Sequence, residues 1–243
     1  MKKAFMLLAI LSLCYVLAFG QKKYEMVIEK TDGSEIAVNV ENIKRIYFRE
    51  SNTSYLTCPD GNHPHLIDLG LSSGTKWACC NVGASKPEGY GNYYAWGETQ
   101  TKGVYNWSTY IHCDGSSSTC HNIGSDIAGT QNDAATANWG SSWRMPSREQ
   151  FDELKNNCTS VWTTNNGVNG RKFIGPNGGI IFLPATGHAW NSELYDVGSY
   201  GNYWSSTSYD EDDAFELHVN SGNAYWYDGD RCRGRSVRPV RNN

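Results

Sequence analysis

The 243-residue chain carries 21 Lys and Arg against 25 Asp and Glu, a formal net charge of −4. With so weak a charge bias and no basic run, neither nucleic acid nor an anionic membrane surface is an expected partner. The 25 Gly, 9 Trp and 15 Tyr point instead to a loop-rich chain of many short strands.

Lys2 and Lys3 precede an apolar run from Ala4 to Phe19, and Ala18-Phe19-Gly20 fits a small-x-small cleavage site. That order is the one of a secretory signal peptide, residues 1–20, removed after Gly20. The run is shorter than the roughly 20 residues a spanning helix needs, so no membrane span is expected in the mature chain. Leu13 before Cys14 does not fit a lipoprotein signal. The expected location is therefore outside the cytoplasm, secreted or at the cell surface. Without Cys14 the cysteines are Cys58, Cys79, Cys80, Cys113, Cys120, Cys158 and Cys232, an odd number that leaves at least one unpaired or paired between chains. Cys113 and Cys120 bracket the loop from Asp114 to Thr119 and are the best-placed pair.

Residues 21–50 read as a small β module. Tyr24–Ile28 and Glu35–Val40 are strands around an Asp32-Gly33 turn, and Asn42–Phe48 is a third candidate. Residues 51–64, polar and with two prolines, form a linker. The main domain, 65–243, opens with paired strands Leu66–Leu71 and Lys76–Val82 around Ser72-Ser73-Gly74. A long polar loop follows, to about Gly129, then a short helix over Asn132–Ala137 with an Asn or Asp cap. Ser147 and Gln150 make a capping box, and Phe151, Leu154 and Cys158 share one face, which predicts a helix over Ser147–Asn157. Lys172–Ile174 and Ile180–Leu183 flank the Pro176–Gly179 turn as a hairpin. The expected fold class is α+β, with short antiparallel strands and one or two helices.

The last forty residues are the most informative. Phe215, Leu217 and Val219 alternate with Glu216 and His218, and Asn220-Ser221-Gly222-Asn223 reads as a hairpin turn. The return strand puts Ala224 and Trp226 on one face and Tyr225 and Tyr227 on the other. With Trp226 toward the core, both tyrosines face outward beside Asp228, Asp230, Arg231 and Arg233. Tyr, Ser, Gly, Asn and Arg together make the composition of a recognition surface, because rigid aromatics give contact area at low entropy cost. The bland reading of the same residues is an ordinary solvated hairpin.

Five blocks occur in order: LIDLGLSSGTKWACCNVGASKPEGYGNYYAWGET, DAATANWGSSWRMPSREQFDEL, GPNGGIIFLPATG, GNYWSST and GRSVRPVR. Together they resemble the Fibrobacter succinogenes major paralogous domain family and cover most of His65 to Arg241. The resemblance implies a C-type-lectin-like domain related to the formylglycine-generating enzymes. Residues 21–50 resemble a short N-terminal module of exported proteins of the Bacteroidetes. The Tyr209–Arg235 segment is similar to the variable region of lectin-fold proteins diversified by retroelements.

These readings favour an exported, non-enzymatic binding or adhesion protein with a protein or glycan ligand outside the cytoplasm. Its expected ligand-binding residues are Tyr209, Asp210, Asp212, His218, Tyr225, Tyr227, Asp228, Asp230, Arg231 and Arg233. The alternatives are a relative of the formylglycine-generating oxidases and a structural component of a surface assembly. For the first, Cys232 is the one C-terminal cysteine, expected to be exposed, with flanking arginines able to lower its pKa. No catalytic residue, cofactor or metal is assigned. The EPN, QPD and WND motifs of calcium-dependent lectins do not occur, Asp210–Asp213 reads as a solvated acidic turn, and His112-Cys113 with Cys120-His121 reads as a disulfide rather than a zinc site. Trp77, Trp96, Trp139, Trp143 and Trp204 are expected in the core.

Overall fold

The computed structural model describes residues 25–29, 35–40 and 65–241. The expected leader, the Asp32-Gly33 turn, the third N-terminal strand and the linker lie outside the described residues. The chain divides into two compact units, Met1–Ser51 and Asn52–Asn243. In the first, β1 (Glu25–Glu29) pairs antiparallel with β2 (Glu35–Asn39).

The second unit is built from small antiparallel sheets rather than one large one. β3 (Leu66–Asp68) and β4 (Lys76–Ala78) pair as expected but are shorter, and β13 (Val240–Arg241) returns to the other edge of β4. Asp133 caps α1 (Ala134–Trp139) by accepting from the amides of Ala135 and Thr136. Ser147 and Gln150 form the capping box of α2 (Arg148–Asn157), with Phe151 and Leu154 fully buried. Cys158 is the C-cap and packs, partly buried, against the same apolar cluster as Phe151 and Leu154. β5 (Thr159–Asn165), β6 (Val168–Ile174) and β7 (Ile180–Pro184) form a meander, whose β6–β7 half was expected. β8 (His188–Trp190) pairs with β9 (Glu193–Tyr195). β10 (Gly201–Ser208), β11 (Asp213–Val219) and β12 (Ala224–Asp230) form the C-terminal sheet. The fold is α+β, with short antiparallel strands and, among the described residues, two α-helices.

The main apolar cluster joins Trp77, Phe151, Leu154, Phe173, Tyr203, Leu217 and Val219, with Ala224 and Trp226 packed against it. Trp77, Trp96, Trp143 and Trp204 are buried and Trp139 is partly so, as expected for core residues. Cys113 and Cys120 form a disulfide. No helix among the described residues is long and apolar enough to cross a membrane.

Candidate functional site

Alternation in the C-terminal sheet sorts its side chains into two sets. Tyr203, Phe215, Leu217, Val219, Ala224 and Trp226 fall on one face by register. Phe151 of α2 lies 6.0 Å from the Trp226 ring, and the indole donates to Asp152 Oδ1 at 2.7 Å. The opposite face carries Asn202, Trp204, Glu216, His218, Tyr225 and Tyr227. Trp226 therefore points toward the core and the two tyrosines away from it.

A buried ion pair underlies this outer face. Glu216 and Arg235 are both buried; Arg235 Nη2 donates to Glu216 Oε1 at 2.9 Å, and its Nε also contacts Oε2. The Arg235 guanidinium stacks on Trp204, 4.3 Å from the ring centroid. Burial pulls its pKa down to about 9, which leaves it charged at neutral pH. Gly229 faces this pair, and any side chain there would run into the guanidinium and the carboxylate.

His218 Nε2 lies 2.5 Å from Glu216 Oε1. A carboxylate can only accept, so this nitrogen donates. The contact alone would favour an imidazolium, but Arg235 already balances the Glu216 charge, and burial holds the His218 pKa down at about 4. The ring is neutral at pH 7 and presents Nδ1 as an acceptor. Three tyrosines surround it: Tyr227 is stacked at 4.9 Å, Tyr225 tilted at 5.4 Å and Tyr200 edge-on at 6.3 Å. Tyr227 is 52% exposed.

A second imidazole, His188, stacks on Tyr195 at 5.7 Å. Gly187 allows this approach: it sits at φ 63°, and a Cβ there would meet the Tyr195 carbonyl. Arg233 Nη1 lies 3.4 Å from His188 Nε2, which makes that nitrogen the acceptor and leaves the proton on Nδ1. Burial first, then Arg235 and Arg233, hold the His188 pKa at about 4. Asn202 sits 3.5 Å from His188 Nδ1 and its Oδ1 is buried without a partner; turning the amide over gives that oxygen the Nδ1–H.

Of the expected site residues, the structure brings together His218, Tyr225 and Tyr227, with Arg233 reaching the same face through His188. Asp230 accepts from Arg233 Nε at 2.6 Å but by register falls on the Trp226 face, opposite Asp213. Asp228 lies on the Trp226 face by register, not beside the tyrosines. Tyr209, Asp210 and Asp212 sit at the β10–β11 turn, away from this cluster. Tyr209 stands edge-on to Phe215 at 5.1 Å, and Asp210 Oδ1 accepts from the amides of Asp212 and Asp213. The expectation of one continuous outward surface is corrected accordingly: strand alternation and the length of β11 divide it in two.

Arg231 is a second correction. It is 3% exposed, stacked on Trp96 at 4.4 Å, and donates to Ser208 Oγ and to the carbonyls of Asp210 and Asp213. It supports the acidic turn rather than offering a contact to a ligand. Arg231, Arg233 and Arg235 thus rest on Trp96, Trp190 and Trp204 respectively. The carboxylates of Asp210, Asp212 and Asp213 lie within 4.8 Å of one another. With a turn already engaging Asp210 and the Arg231 charge close by, no metal is assigned to them. Burial, then Asp230, Asp210, Asp212 and Asp228, raises the Asp213 pKa to about 6.

Cys232 is fully buried, contrary to expectation, and burial with Asp230 nearby pushes its thiol up to about 12. Burial outweighs the flanking arginines here. Sequence reasoning missed His188, Tyr195, Tyr200 and Asn202, which come from the β8–β9 hairpin, the loop after it and β10. It placed Glu216 on the His218 face but had no signal for the partner Arg235.

A family model for a domain of unknown function (DUF8237) matches residues 155–240, a span that begins in α2 and includes both parts of the C-terminal surface. No match was found among curated proteins or among solved structures.

Proposed function

We propose that this chain is an exported, non-enzymatic binding or adhesion protein whose ligand contacts the outer face of the C-terminal sheet. The observation that carries the reading is the half-exposed Tyr227 stacked on a His218 that is itself fixed by the buried Glu216–Arg235 pair. Aromatic rings held in place before binding give contact area without an ordering cost. Neutral imidazoles add hydrogen-bonding groups without fixed charge. The resemblance to the Fibrobacter succinogenes major paralogous domain family, and through it to C-type-lectin-like domains, supports a binding role, and the pattern from Lys2 to Gly20 supports export by a cleaved signal peptide. The buried, protonated Cys232 weighs against formylglycine-generating chemistry.

The test uses the full mature chain on an array of extracellular glycans and glycoproteins. A Tyr225→Ala/Tyr227→Ala variant with an unchanged melting temperature is expected to lose at least about tenfold in affinity for one or more of the ligands that the wild type captures. Undiminished capture would remove this face as the recognition surface. Diversification by a retroelement is a separate expectation, supported by Tyr, Asp, His and Arg within the 209–235 segment. It requires a near-copy of that coding segment, differing mainly at adenines, beside a reverse transcriptase gene.

A second reading, a component of a surface assembly, is favoured by the exposed Leu194, Tyr195 and Val197 on and beside β9. Co-purification with the cell envelope supports it, and a freely secreted monomer does not.

A further inference from the structure

Beside the tyrosine–histidine face lies an open groove of about 500 Å³, formed by β5, β6, the loop before β10 and the β11–β12 turn. Trp162, Asn169, Ser199, Tyr200, Asn220 and Ser221 line it, with two glycines. We propose that this groove binds a neutral oligosaccharide, without a metal ion. The inference rests on the reading of the chain as a binding protein, but not on Tyr225 or Tyr227.

Four observations lead to it. First, the lining contains two aromatic side chains, two carboxamides, two hydroxyls and no charged group. A sugar ring offers an apolar C–H face and a rim of hydroxyls, and this set supplies a partner for each; the nearest charge, Arg171, is buried behind the wall with its Nη groups on Ser160 and Asn220. Second, Trp162 is half-buried yet belongs to none of the three apolar clusters and stacks on no other ring among the described residues, so its place in the groove is not explained by the core. Third, the hydroxyls of Ser199 and Ser221 make no hydrogen bond to another described side chain or backbone group. Fourth, the walls are tied to one another before any ligand arrives. Asn169 Nδ2 donates to the Gly198 carbonyl at 3.1 Å, and the buried Arg171 donates from Nη2 to the Asn220 carbonyl at 2.8 Å. Tyr200 is held edge-on to His218. The volume falls in the range of small-molecule sites and suits one or two sugar rings at a time, with the rest of a chain running out through the open side.

The test is calorimetric titration of the mature wild-type chain with cello-, xylo-, manno- and chito-hexaose. Controls are an acidic galacturonate hexamer and a proline-rich decapeptide, and every titration is repeated in EDTA. At least one neutral hexasaccharide is expected to bind with a sub-millimolar Kd that EDTA leaves unchanged. Trp162→Ala should weaken it about tenfold or more, and Tyr200→Ala should weaken it in the same direction. Trp162→Phe, which keeps a ring and protects against a folding artefact, should retain most of the affinity. Tyr225→Ala/Tyr227→Ala should leave this binding within about twofold. The proposal is overturned if no neutral hexasaccharide binds at millimolar concentration, if a folded Trp162→Ala binds like the wild type, if EDTA abolishes binding, or if only the acidic sugar or the peptide binds. Loss of array capture in the double tyrosine variant with hexasaccharide binding intact supports both sites; intact capture with loss in Trp162→Ala removes the tyrosine face and keeps the groove.

Discussion

Toward one end of β11, Glu216 and His218 are buried among partners: a guanidinium balances the carboxylate and the imidazole is left neutral. At the other end, Asp210, Asp212 and Asp213 crowd around a turn, offset by Arg231 and, for Asp213, by Arg235. The first region is ordered by a hydrogen-bonded ion pair out of water, where losing one partner strands the other. The second has no such pairing: Asp210 accepts from the amides of its own turn, and Asp213 is partly buried with its Oδ1 unpartnered. Rigidity at the tyrosine–histidine face follows from that difference in pairing, within one strand.

The largest effect is expected from Glu216→Ala. It leaves Arg235 charged and unpaired in the interior, and a stability loss of about 3–5 kcal/mol in urea unfolding is expected. A loss below about 1 kcal/mol would mean that the pair is not the support of the face. Gly229→Ala forces a methyl group toward the same pair and should cost about 1–3 kcal/mol, read as a lower melting temperature.

Acid separates the two regions by sign. The unfolded imidazoles titrate near 6.5, whereas His188 and His218 are held at about 4. Their contribution is therefore fully present above about pH 6.5 and is lost as pH falls toward and through 4. Asp213 runs the other way: raised from 3.8 to about 6, it favours folding progressively as pH falls through that interval. Asp213→Asn should raise stability at pH 7 by up to about 1 kcal/mol after allowance for solvent screening, and make the acid loss steeper. Unfolding curves at pH 7, 5.5 and 4.5 distinguish this from a uniform shift. The smallest effect is expected from Asp212→Ala, within about 0.5 kcal/mol of wild type.

What was legible in the sequence was local. The capping box fixed the start of α2, and the period-2 pattern with its Asn-Ser-Gly-Asn turn fixed which face of the last hairpin meets the core. β5 was missed because Thr159–Asn165 has no inward apolar row; Val161 is 45% exposed. β9 was missed because Glu193, Leu194 and Tyr195 are all exposed and carry no inward-facing row, and its partner β8 buries only Ala189. The candidate site was legible in its tyrosines and His218 but not in its depth. Arg231 and Arg235 look alike in the chain, and so does the less buried Arg233; what distinguishes them is which tryptophan, far away in sequence, each one covers. The same holds for Cys232, whose neighbours suggested a reactive thiol and whose burial among Tyr110, Cys113 and Ala189 makes it inert.

The three arginines leaning on three tryptophans fasten the final stretch to parts of the chain far away in sequence. Tyr209, Tyr225 and Tyr227 precede those arginines in the chain and take no part in the fastenings. Single substitutions at these tyrosines are therefore expected to leave all three arginine–tryptophan contacts in place.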